Sequence, residues 1–379
     1  MSTIEVQQVT GRRDLRAFVR FPWQVYQGDP NWVPPLTGDQ MRCLDPSTGP
    51  FYQHADVVLL LARRGREVAG RVAAFLKHRE TEQEEGALEG GFGFFEAVDE
   101  YPVVEALLDA ACEWLRARGA SLVRGPTNLS ENESPGILIG GAGCPPVMLE
   151  AHNPPYYKDL LERYGMEKDR DLYAWRATRE QIGEELSNIP PELARVAEVA
   201  RRVANVTIRK IRMTEWQEEV ETARQLFNVT LNHLPDYVYM TEGEFGRLAN
   251  GMRPFLDPDL VLFAEAEGQC VGFCVAVPDV NQVLIHLDGR LLPFGWLKIK
   301  RLIRQIDAVS FKLMGVLPEY RRRGIDALLY MEAIKEMYEK GYAWLDGSLT
   351  SELNPTINLI AGRLGAERYK QYRMYQMAL

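Results

Sequence analysis

Two stretches of the chain carry the same pattern of apolar and polar positions. LLARRGREVAGRVAAFLKH, residues 60–78, runs apolar, breaks at a charged turn and runs apolar again, with Ala62 and Gly70 eight residues apart. VLFAEAEGQCVGFCVAVPD, residues 261–279, does the same with Ala264 and Gly272. Each predicts strand, turn, strand. Farther along, RARGASLVRG places Gly119 six residues before Gly125, and YEKGYAWLDG places Gly341 six before Gly347. Both read as a helix end feeding a buried strand. Finally HNPPYYKDLLERYGMEKDRDLYAW and LNPTINLIAGRLGAERYKQYRMYQ share Asn-Pro, a short helix pattern, a glycine, a glutamate two residues later and a following aromatic.

Three matched patterns in one order predict two copies of one unit, residues 1–180 and 206–379, joined over 181–205 by a linker that contains a double-proline break and a helix. Within each copy, strands, helix, strand, helix and strands follow one another. That order predicts an α/β (α+β) fold, in which a mixed, mostly antiparallel sheet is flanked by helices.

The second copy contains the segment with most chemistry. SFKLMGVLP reads as a buried strand stopped by Pro318; three arginines then lead into Gly324, where a helix pattern starts. Ile334, Met337 and Tyr338 form its predicted apolar face, and Glu336 and Lys340 an exposed pair one turn apart. A glycine at a helix start lets backbone N–H groups approach an anion, and the helix dipole adds partial positive charge. Arg321, Arg322 and Arg323 supply mobile charge for phosphates. The first copy has YPVVEA where the second has YRRRGIDA, so it lacks this loop. It carries instead an insertion between Gly125 and Asn153, whose length and apolar content predict a lid.

These residues resemble the GNAT (Gcn5-related N-acyltransferase) superfamily, whose coenzyme A loop follows a strand as proline, Arg or Gln, two residues, Gly, one residue, and Gly or Ala. Here the positions are Pro318, Arg321, Gly324 and Asp326, the last departing from the pattern. A carboxylate about 5 Å from a phosphate costs roughly 1–3 kcal/mol, which three arginines can offset. Asn354, eleven residues before Gly365, matches the superfamily's asparagine at the next helix start. The resemblance implies acyl transfer from a coenzyme A thioester, acetyl-CoA or a longer acyl-CoA, as co-substrate. The implied binding residues are Met314, Val316, Leu317, Arg321, Arg322, Arg323, Gly324, Ile325, Asp326, Ala327 and Asn354. A thioester on an acyl carrier protein is the alternative donor.

Amine acylation needs a base for the attacking nitrogen and a proton donor for the leaving thiolate. The superfamily often places a tyrosine seven residues after the asparagine as that donor; here the position is Ala361. Tyr320, Asp346, His233 and His152 are the candidate catalytic residues. More narrowly, DPNWVPPL, GFFEA, RGPTNLSENESPG, HNPPYY and LPEYRRRGID resemble a bacterial group of double acyltransferase-like proteins that includes the bacterial ceramide synthases. That likeness implies N-acylation of a primary amine, a long-chain sphingoid-type lipid amine. A small-molecule N-acetyltransferase and a catalytically inactive acyl-CoA-binding regulatory protein remain alternatives.

Composition narrows the partners. A formal net charge of −9 over 379 residues argues against attachment to nucleic acid. The first twenty residues contain no apolar core of the kind a signal peptide needs, so a cytoplasmic protein is expected. In residues 291–306, Trp296, Ile299, Ile303 and Ile306 recur at helical spacing among Lys298, Lys300, Arg301 and Arg304. That pattern fits either peripheral contact with the inner membrane surface or an ordinary core-facing helix. Cys270 and Cys274 lack a second pair or histidines at ligand spacing, so free thiols and no metal are expected.

Overall fold

The computed structural model describes residues 3–78, 88–129, 133–203, 206–234, 237, 239–290, 299 and 301–379. The chain forms two compact units. The first comprises the described residues of Met1–Leu172, Leu284–Trp296 and Lys370–Leu379; the second comprises those of Tyr173–Val283 and Leu297–Tyr369.

In the first unit β1 (Ile4–Gln8), β2 (Ala55–Arg64), β3 (Glu67–Lys77) and β4 (Glu89–Ala97) pair antiparallel in sequence order. β5 (Leu122–Gly125) then joins β4 in parallel, after a crossover through the Tyr101–Arg116 helix. Residues 375–378, at the chain's C-terminal end, pair antiparallel with β5. β6 (Ile137–Gly140) comes from the insertion and pairs with residues 371–373. The insertion expected as a lid is therefore, at β6, strand structure of this unit, with Ile137 in its core. Val103, Val104, Leu107, Leu108, Ala111 and Leu115 of the helix pack that core because they recur at three- and four-residue spacing.

The second unit repeats this plan. β7 (Glu167–Thr178) contributes its residues 173–178 here; β8 (Thr207–Lys210), β9 (Val261–Ala266), β10 (Gln269–Pro278) and β11 (Ala308–Val316) pair antiparallel in order. β12 (Trp344–Ser351) joins β11 in parallel, after the Ile325–Glu339 helix, and β7 lies on its other side. β13 (Glu367–Ala378) starts in this unit and ends in the first. Each unit is thus a mixed sheet that combines antiparallel pairs with a parallel one, β4–β5 in the first and β11–β12 in the second. The Pro191–Val203 helix packs on the Ile325–Glu339 helix, with Ala197 and Ala200 in the shared core.

The repeat extends to register. Ala62 stands opposite Gly70 in the first hairpin and Ala264 opposite Gly272 in the second, and each ladder shifts by one residue just before that glycine. Gly119 and Gly341 both take positive φ just beyond the crossover helices, +86° and +81°, and their N–H groups satisfy carbonyls of the last turn.

One expectation about the second crossover helix does not hold. Ile334 and Met337 are buried as predicted, but Glu336 and Lys340 do not pair with each other: Glu336 binds Lys210 at 2.7 Å, and Lys340 binds Asp257 at 2.9 Å and Asp259 at 2.6 Å. Partners distant in sequence outcompete the neighbour one turn away.

Candidate functional site

The site begins where two parallel strands part. β11 and β12 pair from Ala308↔Trp344 to Phe311↔Gly347, and the ladder stops there although β11 continues to Val316 and β12 to Ser351. Between them opens a cavity of about 610 Å3. Met314, Val316, Tyr320, Arg321, Arg322, Ile325 and Asp326 line one side of it, and Ser348, Thr350, Asn354 and Ala361 another. Its deeper lining is apolar: Ala177, Ile182, Ile189, Ile334 and Leu345 belong to or pack against one hydrophobic cluster.

The arginine loop occupies residues 317–324. Arg322 and Gly324 both have positive φ, +60° and +79°, and no side chain caps the helix that starts at Ile325. An uncapped helix start at a cavity is an anion-accepting arrangement. Arg321, however, donates to the carbonyls of Thr230 at 2.6 Å and Val316 at 3.2 Å and lies 3.3 Å from His233 Nδ1. Arg323 donates to the Glu319 carbonyl at 3.0 Å, and its guanidinium lies over the Tyr320 ring. Arg322 is exposed at the cavity. Thr230 lines the cavity too, and its buried hydroxyl has no hydrogen-bond partner among the described residues. An orphaned buried hydroxyl beside a strand edge suits a polar ligand.

Of the predicted catalytic residues, Tyr320 and His233 face this cavity; the Tyr320 hydroxyl accepts from Gln269 at 3.2 Å. Asp346 is fully buried beneath it, where it accepts from the hydroxyls of Ser310, Ser348 and Tyr369. His152 belongs to the first unit. Its Nε2 lies 2.7 Å from Asp29 Oδ2, and its carbonyl accepts from Tyr26. Leu317, Arg323, Gly324 and Ala327 do not line the cavity. Asn354 does, and it also caps the Pro355–Arg363 helix by accepting from the Ile357 N–H. Lys312, which strand pattern alone did not single out, lines the cavity at the point where the strands part.

Among the described residues of the first unit, the corresponding place beyond the β4–β5 ladder is filled. Only residues 98–100 separate β4 from its helix. Beyond the β4–β5 ladder, the Thr127 N–H donates to the Phe92 carbonyl at 2.9 Å, and a Cβ on Gly93 would meet the Thr127 carbonyl oxygen. The chain itself fills the slot. The membrane-contact segment 291–306 lies outside the described residues at 291–298 and 300; within the rest, Ile306 is buried. Among the described residues, no helix is long and apolar enough to cross a membrane.

The chain is 34% identical over 372 residues to a bacterial ceramide synthase of Caulobacter vibrioides, covering 97% of this chain and 95% of that protein. It belongs to the bacterial ceramide synthase family. Protein YghO of Escherichia coli matches at 32% identity over 98% of this chain and 94% of its own length. No family model matches. In structure, this ceramide synthase relative resembles a tandem GNAT protein from the clavulanic acid biosynthesis pathway, with a TM-score of 0.58, 11% identity and coverage of 99% and 98% of the two chains. A GNAT protein from Sphaerobacter thermophilus gives a TM-score of 0.50 at 14% identity, covering 99% and 95%. The fold is the tandem GNAT fold, and the protein is a GNAT-type N-acyltransferase.

Proposed function

We propose that the second unit binds an acyl-CoA thioester in the opening between β11 and β12 and transfers its acyl group to a primary amine, with a long-chain sphingoid-type amine as acceptor. The observation that carries this reading is the single cavity joining two chemistries. At one end stand an uncapped helix start, Arg322 and the orphaned Thr230 hydroxyl; at the other stand Ala177, Ile182, Ile189 and Leu345. A thioester needs both, because its phosphates are charged and its acyl chain is not. Strand edges left unpaired by the divergence supply backbone groups for the amides of the pantetheine arm. Asp326 stands in the first helical turn, where a carboxylate favours the dipole.

The resemblance to ceramide synthases supports the lipid amine. The test is transfer from palmitoyl-CoA to sphinganine, followed by mass spectrometry, with acetyl-CoA and a short soluble amine as comparison. Preference for the short pair would make this a small-molecule acetyltransferase. Acyl-CoA binding without transfer to any amine would make it an inactive binding protein.

One observation favours a second donor. Arg321 and Arg323 already serve backbone carbonyls, which leaves fewer cations for the several phosphates of coenzyme A. An acyl carrier protein presents a single phosphate, so acyl-CoA and acyl-carrier-protein donors should be compared at equal concentration. We place the activity in the cytoplasm.

A further inference from the structure

The structure supplies a candidate for the proton donor whose usual tyrosine position is Ala361. The β10–β11 ladder passes from Val275↔Leu313 to Ala276↔Phe311, so Lys312 is the extra, bulged residue of β11. It stands one residue past Phe311, the last β11 residue in the ladder with β12. Bulges beside active sites re-aim side chains. The Lys312 side chain is only 8% exposed, and it lines the cavity. Its Nζ donates to Ser348 Oγ at 3.0 Å and lies 3.7 Å from Asp346 Oδ2. Ser348, one residue past Gly347 on the opposite strand, in turn donates to Asp346 Oδ2 at 2.5 Å. The three residues therefore form a chain from the cavity wall into the buried interior.

We propose that Lys312 protonates the leaving thiolate, with Ser348 as its proton partner and Asp346 as the positioning residue that fixes both. This rests on the acyl-transfer reading above. In the step, the amine nitrogen bonds to the thioester carbonyl carbon. The carbon–sulfur bond breaks, and sulfur leaves with the electron pair and takes a proton from Lys312 Nζ. The neutral Lys312 amine then receives, through the Ser348 hydroxyl, the proton that the new amide nitrogen gives up. Amine and thioester become amide and thiol, and Lys312 ends as it began. Before collapse, the same ammonium faces the negative oxygen of the tetrahedral intermediate, where a donor in a dry site is most effective. Asp346 touches no substrate; its three hydroxyl donors, from Ser310, Ser348 and Tyr369, hold it rigid.

The test uses the full chain with palmitoyl-CoA and sphinganine. Lys312→Met and Ser348→Ala should each lower kcat by about 100-fold, the usual scale of acid–base assistance, while palmitoyl-CoA affinity by calorimetry stays within about threefold. Ser348→Thr, which keeps the hydroxyl, should recover most of the loss. Asp346→Asn, which loosens the positioning of both groups without touching substrate, should lower kcat while KM stays within about threefold. A thermal melt accompanies each variant, and Ser348→Thr decides if Ser348→Ala fails to fold. Unchanged kcat in Lys312→Met overturns the assignment, as does an equal loss of affinity, which would mark Lys312 as a ligand-binding residue only. If wild-type protein binds palmitoyl-CoA yet acylates neither sphinganine nor a short amine, the acyl-transfer reading falls and this assignment with it.

Discussion

Gly324 packs against Val196: a Cβ added to the glycine would lie 2.7 Å from Val196 Cγ1 and 2.8 Å from the Val196 carbonyl oxygen. The glycine that the arginine motif offers to an anion is therefore also the seat of the Pro191–Val203 helix. Its φ of +79° adds a second reason for glycine there. Gly324→Ala should destabilise the second unit by about 1–2 kcal/mol from the left-handed backbone alone, with more from the contact. Chemical unfolding of the full chain should show an earlier transition in one unit. A loss confined to the backbone's own share of about 1–2 kcal/mol would mean that the Pro191–Val203 helix gives way freely, and unchanged unfolding would refute both arguments.

Glu150 and Lys370 form a buried pair in the first unit, with both side chains fully inaccessible. Lys370 Nζ lies 3.2 Å from Glu150 Oε2 and donates to the Pro145 carbonyl at 2.8 Å, and Tyr372 donates to the same Glu150 oxygen at 3.0 Å. Removing one partner of such a buried ion pair costs about 3–5 kcal/mol. Glu150→Leu and Lys370→Met should each destabilise strongly, and the double variant should recover much of the loss. A double-mutant cycle by urea unfolding measures this coupling, and additive losses would refute it.

The two repeats differ in how much of them local pattern could reveal. Ala62 with Gly70 and Ala264 with Gly272 were visible as spacings because a hairpin brings near neighbours in sequence face to face. Gly119, Gly341 and Gly365 were visible for a similar reason: each ends a helix with positive φ, and only local geometry is needed. The destination of residues 370–379 was not visible, because nothing in the alternation of a strand names the strand it will pair with. Arg321 was read as a phosphate ligand, and its hydrogen bond to the Thr230 carbonyl joins residues 91 apart in sequence. Lys312 was missed on the same grounds, since a bulge is set by the register of two ladders and leaves no mark in composition. His152, taken as a candidate acid or base, lies in the first unit against Asp29; the quoted motifs DPNWVPPL, HNPPYY and GFFEA meet there, through Asp29, Tyr157 and Glu96.

Glu96 gives that meeting point a pH dependence. Burial raises its carboxyl above the ordinary range, against the opposing pull of Arg71 and the hydroxyls of Tyr157 and Tyr26. Folding therefore favours the protonated form. The corresponding stability is fully present below the ordinary carboxyl pKa and is lost as pH rises through the raised folded value. Glu96→Gln should flatten the dependence of first-unit stability on pH across that window, whatever its effect at a single pH. Urea unfolding of both proteins at intervals from pH 4 to about pH 7 checks the slope. Parallel curves would remove Glu96 as the source.

The apolar end of the cavity should set the length of the acyl chain. Ala177 is buried in the wall beside Ile182 and Ile189, so a larger side chain there projects into the space that chain would occupy. Burying a methylene is worth about 0.8 kcal/mol, so excluding four of them forfeits about 3 kcal/mol, or roughly 100-fold in kcat/KM. Ala177→Phe should therefore cost about that factor with palmitoyl-CoA and little with acetyl-CoA, shifting the preferred donor toward shorter chains. The readout is competition among acetyl-, octanoyl- and palmitoyl-CoA in one reaction, with products separated by mass. Because overpacking a core can also destabilise by about 1–3 kcal/mol, retained turnover of acetyl-CoA is the internal control for folding. An equal loss for all three donors would indicate general damage. An unchanged preference would place the acyl chain elsewhere, leaving the apolar lining as ordinary core.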